Sequence, residues 1–361
     1  MLLEADRKRA ALSDLTTAIA RDAAAHDADG SFPTAAFAQL ARRGLLEAPP
    51  VGAEEMRPLL RLLAAVGRGD LSVGRIFEGH VNAVWLVRRF GTPAQVRELA
   101  GAGGTLGVWN TDIPDDPLRI AGGRFEGRKS FASGIDGLSR AIVTVGGEEG
   151  RRMYLVPTGA LGVDRGWWRP LGMRASGSHV ADFSGLAVDP GWALGGPDDY
   201  GRQPWFSAGA IRFLAVQVGG MHALFDTAAS HLAKTGRAGN PYQAHRLARM
   251  GVAVETGYLW LDRTADAWTE AARADDPAAA RHLLGAANGA RVAVEEAALR
   301  VLEEAERAIG AAGMIAPHPF ERQMRDLRTY LRQPNPDGAA AAFGAAIADG
   351  DWAPLGQGHA G

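Results

Sequence analysis

The residues able to do chemistry in this 361-residue chain are its carboxylates, its nine histidines and its hydroxyls, because cysteine is absent. Without thiols there are no disulfides, no thiolate metal sites, no iron–sulfur ligation and no Cys nucleophile. His222, His231 and His245 do not stand at metal-ligand spacing, and no His-Glu-x-x-His occurs. No metal site is expected. No Gly-x-Gly-x-x-Gly stands between a strand and a helix, and no Gly-x-x-x-x-Gly-Lys-Ser/Thr is present. Neither of the two glycine-rich phosphate cradles is therefore expected.

Lys and Arg number 39 against 41 Asp and Glu, a net charge of −2, which offers no electrostatic ground for nucleic-acid binding. No apolar stretch approaches the ~20 residues of a membrane span. The N-terminus, Met1 to Leu15, carries charges where a signal peptide needs an apolar block. A soluble, cytoplasmic protein is the expectation.

The elements that must position any site fall into three blocks. From Asp6 to about Ala100 the chain reads as helices. Leu12, Leu15, Ile19 and Ala23 form one apolar stripe. Ser31 is an N-cap candidate, with Pro33 in the first turn of a helix carrying Phe37 and Leu40. Further helices are predicted from Glu54 through Val66, from about Leu71 to Arg89, and from Ala94 to Leu99. From Thr105 to about Pro190 short apolar runs are separated by Gly, Pro and Asp clusters: 106–109, 124–127, 141–145 and 152–156. Val180, Phe183, Leu186 and Val188 suit a strand pair. No helical stretch interrupts these runs, so an antiparallel sheet or barrel is expected. From Phe206 to about Ala348 long helices return, over 208–235, 241–274, 277–310 and 320–331. Side by side they make a four-helix bundle. The predicted fold is α+β in three domains: all-α over 1–103, β over 104–203, and the bundle over 204–361.

Five local motifs punctuate this order. They are Gly69-Asp70-Leu71-Ser72, Phe90-Gly91-Thr92-Pro93-Ala94-Gln95, Gly127-Arg128-Lys129-Ser130-Phe131-Ala132-Ser133-Gly134, Leu171-Gly172-Met173-Arg174-Ala175-Ser176-Gly177-Ser178, and Pro319-Phe320-Glu321-Arg322-Gln323-Met324-Arg325-Asp326. In that sequence of blocks they resemble the acyl-CoA dehydrogenase superfamily of flavoproteins over nearly the whole chain. The resemblance is specific for the fold and much less so for the reaction.

The resemblance implies a bound flavin, FAD or alternatively FMN, between the central strands and the trailing helices. It places flavin contacts on Trp109-Asn110-Thr111 and Phe131-Ala132-Ser133. Trp109 or Phe131 would wall the ring, and the Thr111 and Ser133 hydroxyls would hydrogen-bond the ring or the pyrophosphate. The alternative is that both aromatics are sheet core and both hydroxyls merely end strands. Arg237, in the shortened link between the first two long helices, would reach a neighbouring subunit's flavin diphosphate; the alternative is a solvated turn arginine. The implied assembly is a homodimer or homotetramer. Where the family has a Gly-Ser turn, this chain has Asp112, Asp115 and Asp116, and acids repel the phosphates of coenzyme A.

Dehydrogenation beside a thioester needs a carboxylate base. Counting from Arg325-Asp326, the family's usual base position falls on Pro334. The alternative position, at the start of the first long bundle helix, falls on Gly209. Neither residue can take a proton. Asp337 is the nearest acid, as a shifted base or as a turn residue. His80 is the best polar candidate on the pocket-lining helix, as a general acid/base or as a satisfied helix histidine. Glu78 and Arg212 are the candidate substrate contacts.

The leading reading is an acyl-CoA dehydrogenase-like, FAD-dependent oxidoreductase acting on an acyl or related small molecule. One alternative is a flavin-dependent monooxygenase on the same fold, served by an electron-transfer or flavin reductase partner. Arg325-Asp326-Leu327-Arg328-Thr329 matches the beginning of that group's signature, while Gln333-Pro334 stands in place of its His-Asp. Another alternative is a non-catalytic descendant.

Overall fold

The structure is a computed structural model that describes residues 2–101, 104–274, 276–332 and 335–354. The first helices are α1 (Leu2–Ala20), α2 (Ala23–Asp29), α3 (Thr34–Arg42), α4 (Met56–Gly69), α5 (Leu71–Phe90) and α6 (Pro93–Gly101). The strands follow: β1 (Thr105–Trp109), β2 (Arg119–Ala121), β3 (Arg124–Glu126), β4 (Arg128–Ala132), β5 (Leu138–Gly147), β6 (Gly150–Pro157), β7 (Gly162–Asp164), β8 (His179–Asp182) and β9 (Ala193–Leu194). The chain ends in α7 (Trp205–Ala208), α8 (Ile211–Lys234), α9 (Pro241–Ala274), α10 (Pro277–Ile309), α11 (Pro319–Tyr330) and α12 (Pro336–Ala348).

These elements gather into two compact units, each built from separated segments. A bundle unit takes Met1–Ala20, Gly52–Leu71 and Gln203–Gly361; a strand unit takes Arg21–Val51 and Ser72–Arg202. The helices that read as one opening block are shared between the two.

In the bundle unit, α8, α9 and α10 are long neighbours, with α4 and α11 against α8 and α12 against α10. The apolar stripe of α4 is buried as its spacing demands: Leu59, Leu62, Leu63 and Val66 are all core. Asp276 caps α10 by accepting from the Ala278 and Ala279 amides, with Pro277 at the first helical position. The stretch Trp205–Lys234 is apolar and long enough to span a membrane, which the sequence reading did not register, but 78% of its apolar window is buried inside the protein. Its apolarity belongs to the core of the bundle.

Contact between α4 and α8 is made backbone to backbone. A Cβ added at Gly219 would lie 2.1 Å from the Ala64 carbonyl oxygen, and one at Gly67 would lie 2.4 Å from the Val216 oxygen. Gly219→Ala is expected to push the helices apart and cost about 2 kcal/mol. Gly251→Ala, on α9 with nothing within 4 Å of the added Cβ, is expected to gain up to about 1 kcal/mol from helix propensity. Urea midpoints of the two variants check this opposition in sign.

In the strand unit, one sheet has the order β1-β5-β6-β9, another β4-β8-β7, and β2 and β3 form a hairpin. The expected all-antiparallel arrangement is corrected at one pairing: β1 and β5 are parallel. The excursion through β2, β3 and β4 between them is long enough for the crossover that a parallel pair requires. The predicted strand pair after His179 is also shorter than expected. β8 stops at Asp182, and Gly185 at φ 83° turns the chain so that the Leu186 carbonyl accepts from the Phe125 amide. Ser31 does not cap α3; its hydroxyl bonds His26 Nδ1 at 2.9 Å.

Candidate functional site

On the strand unit, β4 is irregular between Lys129 and Ala132, and Phe131 there is held at φ 53°. A non-glycine residue in the left-handed region is costly and marks a place the fold over-determines. The bend turns the Phe131 ring outward, leaving it 40% exposed. It meets Trp167, itself 43% exposed, at 5.0 Å and Trp168 at 6.1 Å, both edge-on. Trp168 Nε1 is buried without a hydrogen-bond partner among the described residues. Of the two aromatics assigned to the flavin by resemblance, Phe131 thus has the exposed face that a flat ligand needs. Trp109 does not. It is 1% exposed, donates from Nε1 to the Ser133 carbonyl at 3.2 Å and packs edge-on against Phe183. Its ring-wall role is corrected to sheet core.

Thr111 is exposed, and its carbonyl accepts from the Ser130 amide. Ser133 is buried, and its hydroxyl shares a hydrogen with Ser178 Oγ at 2.8 Å, which in turn lies 2.8 Å from Ser176 Oγ. An exposed aromatic face beside hydroxyls, with a buried indole N–H lacking a partner, fits an isoalloxazine ring: flat, apolar over its faces and polar at its edge.

The acids after Thr111 are mostly neutralised. Lys129, with a fully buried side chain, donates to Asp112 at 2.6 Å, and Arg151 reaches the other Asp112 oxygen at 3.1 Å. Arg128 holds Asp116 at 2.6 Å. The expected repulsion of a passing phosphate is reduced to the exposed Asp115. Burial lowers the Lys129 amine, a trend opposed by Asp112.

His80, the sequence-based acid/base candidate, is fully buried with both ring nitrogens engaged. Nε2 donates to the Leu46 carbonyl at 2.8 Å, and Nδ1 accepts from the Leu106 amide at 3.0 Å. Burial pushes it down to about 4, so the ring is neutral at physiological pH. With no nitrogen left for a substrate, its expected catalytic role is corrected to a pin joining α5, the chain after α3, and β1. Glu78, two residues earlier, is buried and accepts from Arg75 at 2.8 Å.

Sequence reasoning missed a second histidine. His179 Nε2 lies 3.3 Å from Asp136, which Arg165 also holds at 2.5 Å. Its Nδ1 is buried without a hydrogen-bond partner among the described residues, and burial lowers the ring below its ordinary range. His179 directly follows the motif that ends at Ser178, but Asp136 joins it only through folding.

In the bundle unit the remaining candidates are scattered. Arg212 is buried, with its guanidinium 5.8 Å from the centre of the Trp268 ring. Arg237 is exposed and donates to His231 Nε2 at 2.8 Å and to the Ala308 carbonyl at 3.3 Å. His231 continues to His318 at 3.1 Å, and His318 caps α11 through the Phe320 amide. Asp337 is exposed in the first turn of α12, where Asn335 accepts from the Gly338 amide. That is the turn position, and the shifted-base expectation is corrected accordingly. Pro334 lies outside the described residues. His222 bonds the Tyr258 hydroxyl at 2.9 Å, and burial raises that phenol to about 12. The phenol therefore keeps its proton. Among the described residues no group of three or more His, Asp or Glu could hold a metal ion.

Two of the five motifs meet here. Arg322 Nη1 lies 3.1 Å from both Asp70 and Asp326, all three buried. These motif charges fasten α11 to the end of α4; they serve the fold.

Comparison with known proteins bears on the fold. Residues 203–331 match the family model "Acyl-CoA dehydrogenase, C-terminal domain". A dibenzothiophene monooxygenase from Mycolicibacterium goodii is 25% identical over 312 residues, covering 75% of this chain and 75% of the relative. TdsC from Paenibacillus sp. A11-2, solved with FMN and indole, superposes with a TM-score of 0.84 at 20% identity, over 95% of this chain and 97% of that one. The methanesulfinate monooxygenase MsuC from Pseudomonas fluorescens gives 0.81 at 21% identity, over 96% and 97%. Residues 203–331 carry the acyl-CoA dehydrogenase C-terminal domain, and the chain as a whole has the acyl-CoA dehydrogenase-like fold of these solved structures.

Proposed function

We propose that the chain is a flavin-dependent monooxygenase on the acyl-CoA dehydrogenase fold, taking FMN reduced by a separate reductase and oxidising a small, largely apolar substrate. The observation that carries this reading is in the sequence: both positions at which the superfamily sets its base hold residues without a proton acceptor, Pro334 and Gly209. Abstraction of a proton beside a thioester has lost its group, whereas oxygen transfer needs no carboxylate aimed at substrate carbon. The similarity to dibenzothiophene monooxygenase and to TdsC with FMN supports the same side. FMN takes precedence over the FAD expected at first because FMN is the flavin seen in TdsC.

A bound flavin would supply two-electron storage and the centre at which oxygen reacts. The chain's own residues supply the surroundings. Phe131 and Trp167 offer apolar faces, and the Thr111 and Ser133 hydroxyls offer polar contacts for the ring edge. Glu78 is neutralised by Arg75 and adds no free base. Dimeric or tetrameric assembly, expected from the resemblance, is part of this reading.

Oxygen uptake tests it. Chain, FMN, NADH and a flavin reductase should consume oxygen in proportion to product when dibenzothiophene or indole is the probe. Anaerobic bleaching of the bound flavin by an acyl-CoA, with no reductase, would reverse the choice in favour of dehydrogenation.

A further inference from the structure

The hydroxyls of Ser133, Ser178 and Ser176 form a line of three oxygens, each neighbouring pair 2.8 Å apart. The backbone around them is fixed. Ala132 pairs with His179 across β4 and β8, the Gly134 amide donates to the Ser176 carbonyl at 2.7 Å, and Trp109 Nε1 holds the Ser133 carbonyl. The oxygens therefore stay in place while the hydrogens are free to rotate.

A hydrogen count shows what such a line can do. Each hydroxyl brings one hydrogen and lone pairs to accept another. Two links close the line, and they can run in either sense. When the hydrogens point from Ser176 toward Ser133, the Ser133 hydrogen is directed out of the line. When they point the other way, Ser133 gives its hydrogen to Ser178 and directs a lone pair outward. Among the described residues the only other acceptor for Ser133 Oγ is the Phe131 carbonyl at 3.5 Å, too long for a good O–H···O bond. Ser133 is also the outermost of the three, 7% exposed against 4% for Ser178 and 2% for Ser176. It adjoins the exposed Phe131 face.

A partner that is an acceptor in one state and an N–H donor in another is what such a line suits. An isoalloxazine ring nitrogen accepts when the flavin is oxidised and becomes N–H on reduction. We propose that Ser178 and Ser176 are positioning residues that let Ser133 donate to oxidised flavin and accept from reduced flavin. The proposal rests on the flavin reading above and adds to it a device for holding both redox states.

Loss of the Ser178 hydroxyl should be felt unequally. With oxidised flavin, Ser133 still gives its hydrogen to the ligand and forgoes only an incoming bond. With reduced flavin, Ser133 must place its own hydrogen on the distant Phe131 carbonyl, and an orphaned buried donor is the costlier defect. Oxidised FMN, and FMN reduced by dithionite under anaerobic conditions, are titrated into the full chain and into S178A, S178T and S176A. S178A is expected to lose reduced-flavin affinity about tenfold more than oxidised-flavin affinity, equal to a fall of about 30 mV in the two-electron potential. S178T should restore the wild-type ratio. S176A, one hydroxyl further in, should shift it in the same sense by less, and serves if S178A does not fold. An unchanged ratio in S178A and S176A overturns the hydroxyl line while leaving the flavin reading standing. Failure of the unmodified chain to bind either form of FMN overturns both.

Discussion

Asp112→Asn is expected to destabilise the protein by about 3–5 kcal/mol, the cost of leaving a buried charge without its counter-ion. The side chain of Lys129 has no exposure, and Asp112 is its only carboxylate partner among the recorded contacts of the described residues. Its other contacts are the Asn110 carbonyl at 3.2 Å and the Thr144 hydroxyl at 3.5 Å, which are neutral. Arg151, drawn in by the same carboxylate, would become a like charge facing the amine. The substitution also sets a pH dependence. Burial already lowers Lys129, and removing Asp112 takes away the main opposing influence. A lysine lowered in the fold binds fewer protons there than in the unfolded chain, so the variant gains stability as pH rises from neutrality toward the ordinary lysine range. Urea midpoints from pH 7 to 10 should show the deficit shrinking, and Asp112→Asn with Lys129→Met should recover much of it. A variant within about 1 kcal/mol of wild type and flat with pH would contradict the role of this pair.

The second large effect lies at His80. Its pKa falls from 6.5 unfolded to about 4 folded, so protons bind the unfolded chain more readily in that interval. The stabilisation is complete above pH 6.5, declines as pH falls through the interval, and levels off below 4. The loss amounts to about 3 kcal/mol. His80→Gln tests it, because an amide keeps a donor for Leu46 and an acceptor for Leu106 without titrating. The variant should be weaker than wild type at pH 7 and close the gap by about 3 kcal/mol at pH 4. Parallel stability curves for the two proteins would show that His80 titrates alike in the folded and unfolded chain, and its role as a neutral pin would then fail.

How far the sequence was legible depends on the range of the interactions involved. Periodicity located α4, α9 and α10 closely because helix burial follows local spacing: the Leu59, Leu62, Leu63 and Val66 stripe is the face that α4 buries. The parallel β1–β5 pairing was not legible, since nothing near Thr105 or Leu138 encodes which strand comes alongside. Residue types that suggest chemistry were the least reliable guides. His80 and Trp109 look functional in isolation, yet backbone groups from distant segments satisfy their polar atoms. Asp70, Arg322 and Asp326 stand out as motif charges and are spent on joining α4 to α11. Conversely, the Ser133–Ser178 contact and the Asp136–His179 pair bring together residues far apart in the chain. Only the fold could reveal them. Phe131 was named from the resemblance, but its outward turn comes from a left-handed backbone that no phenylalanine side chain prefers.

The central claim is oxygen transfer by reduced flavin on this fold without a carboxylate base, and the origin of the oxygen atom in the product tests it most directly. The chain is supplied with FMN, a reductase and NADH under heavy-isotope oxygen gas in ordinary water, with dibenzothiophene as the probe, and the product is weighed by mass spectrometry. The expected result is a product carrying the heavy isotope from the gas and none when the label is in the water instead. An unoxidised probe, together with desaturation of an acyl-CoA by the same preparation under nitrogen, would contradict the account.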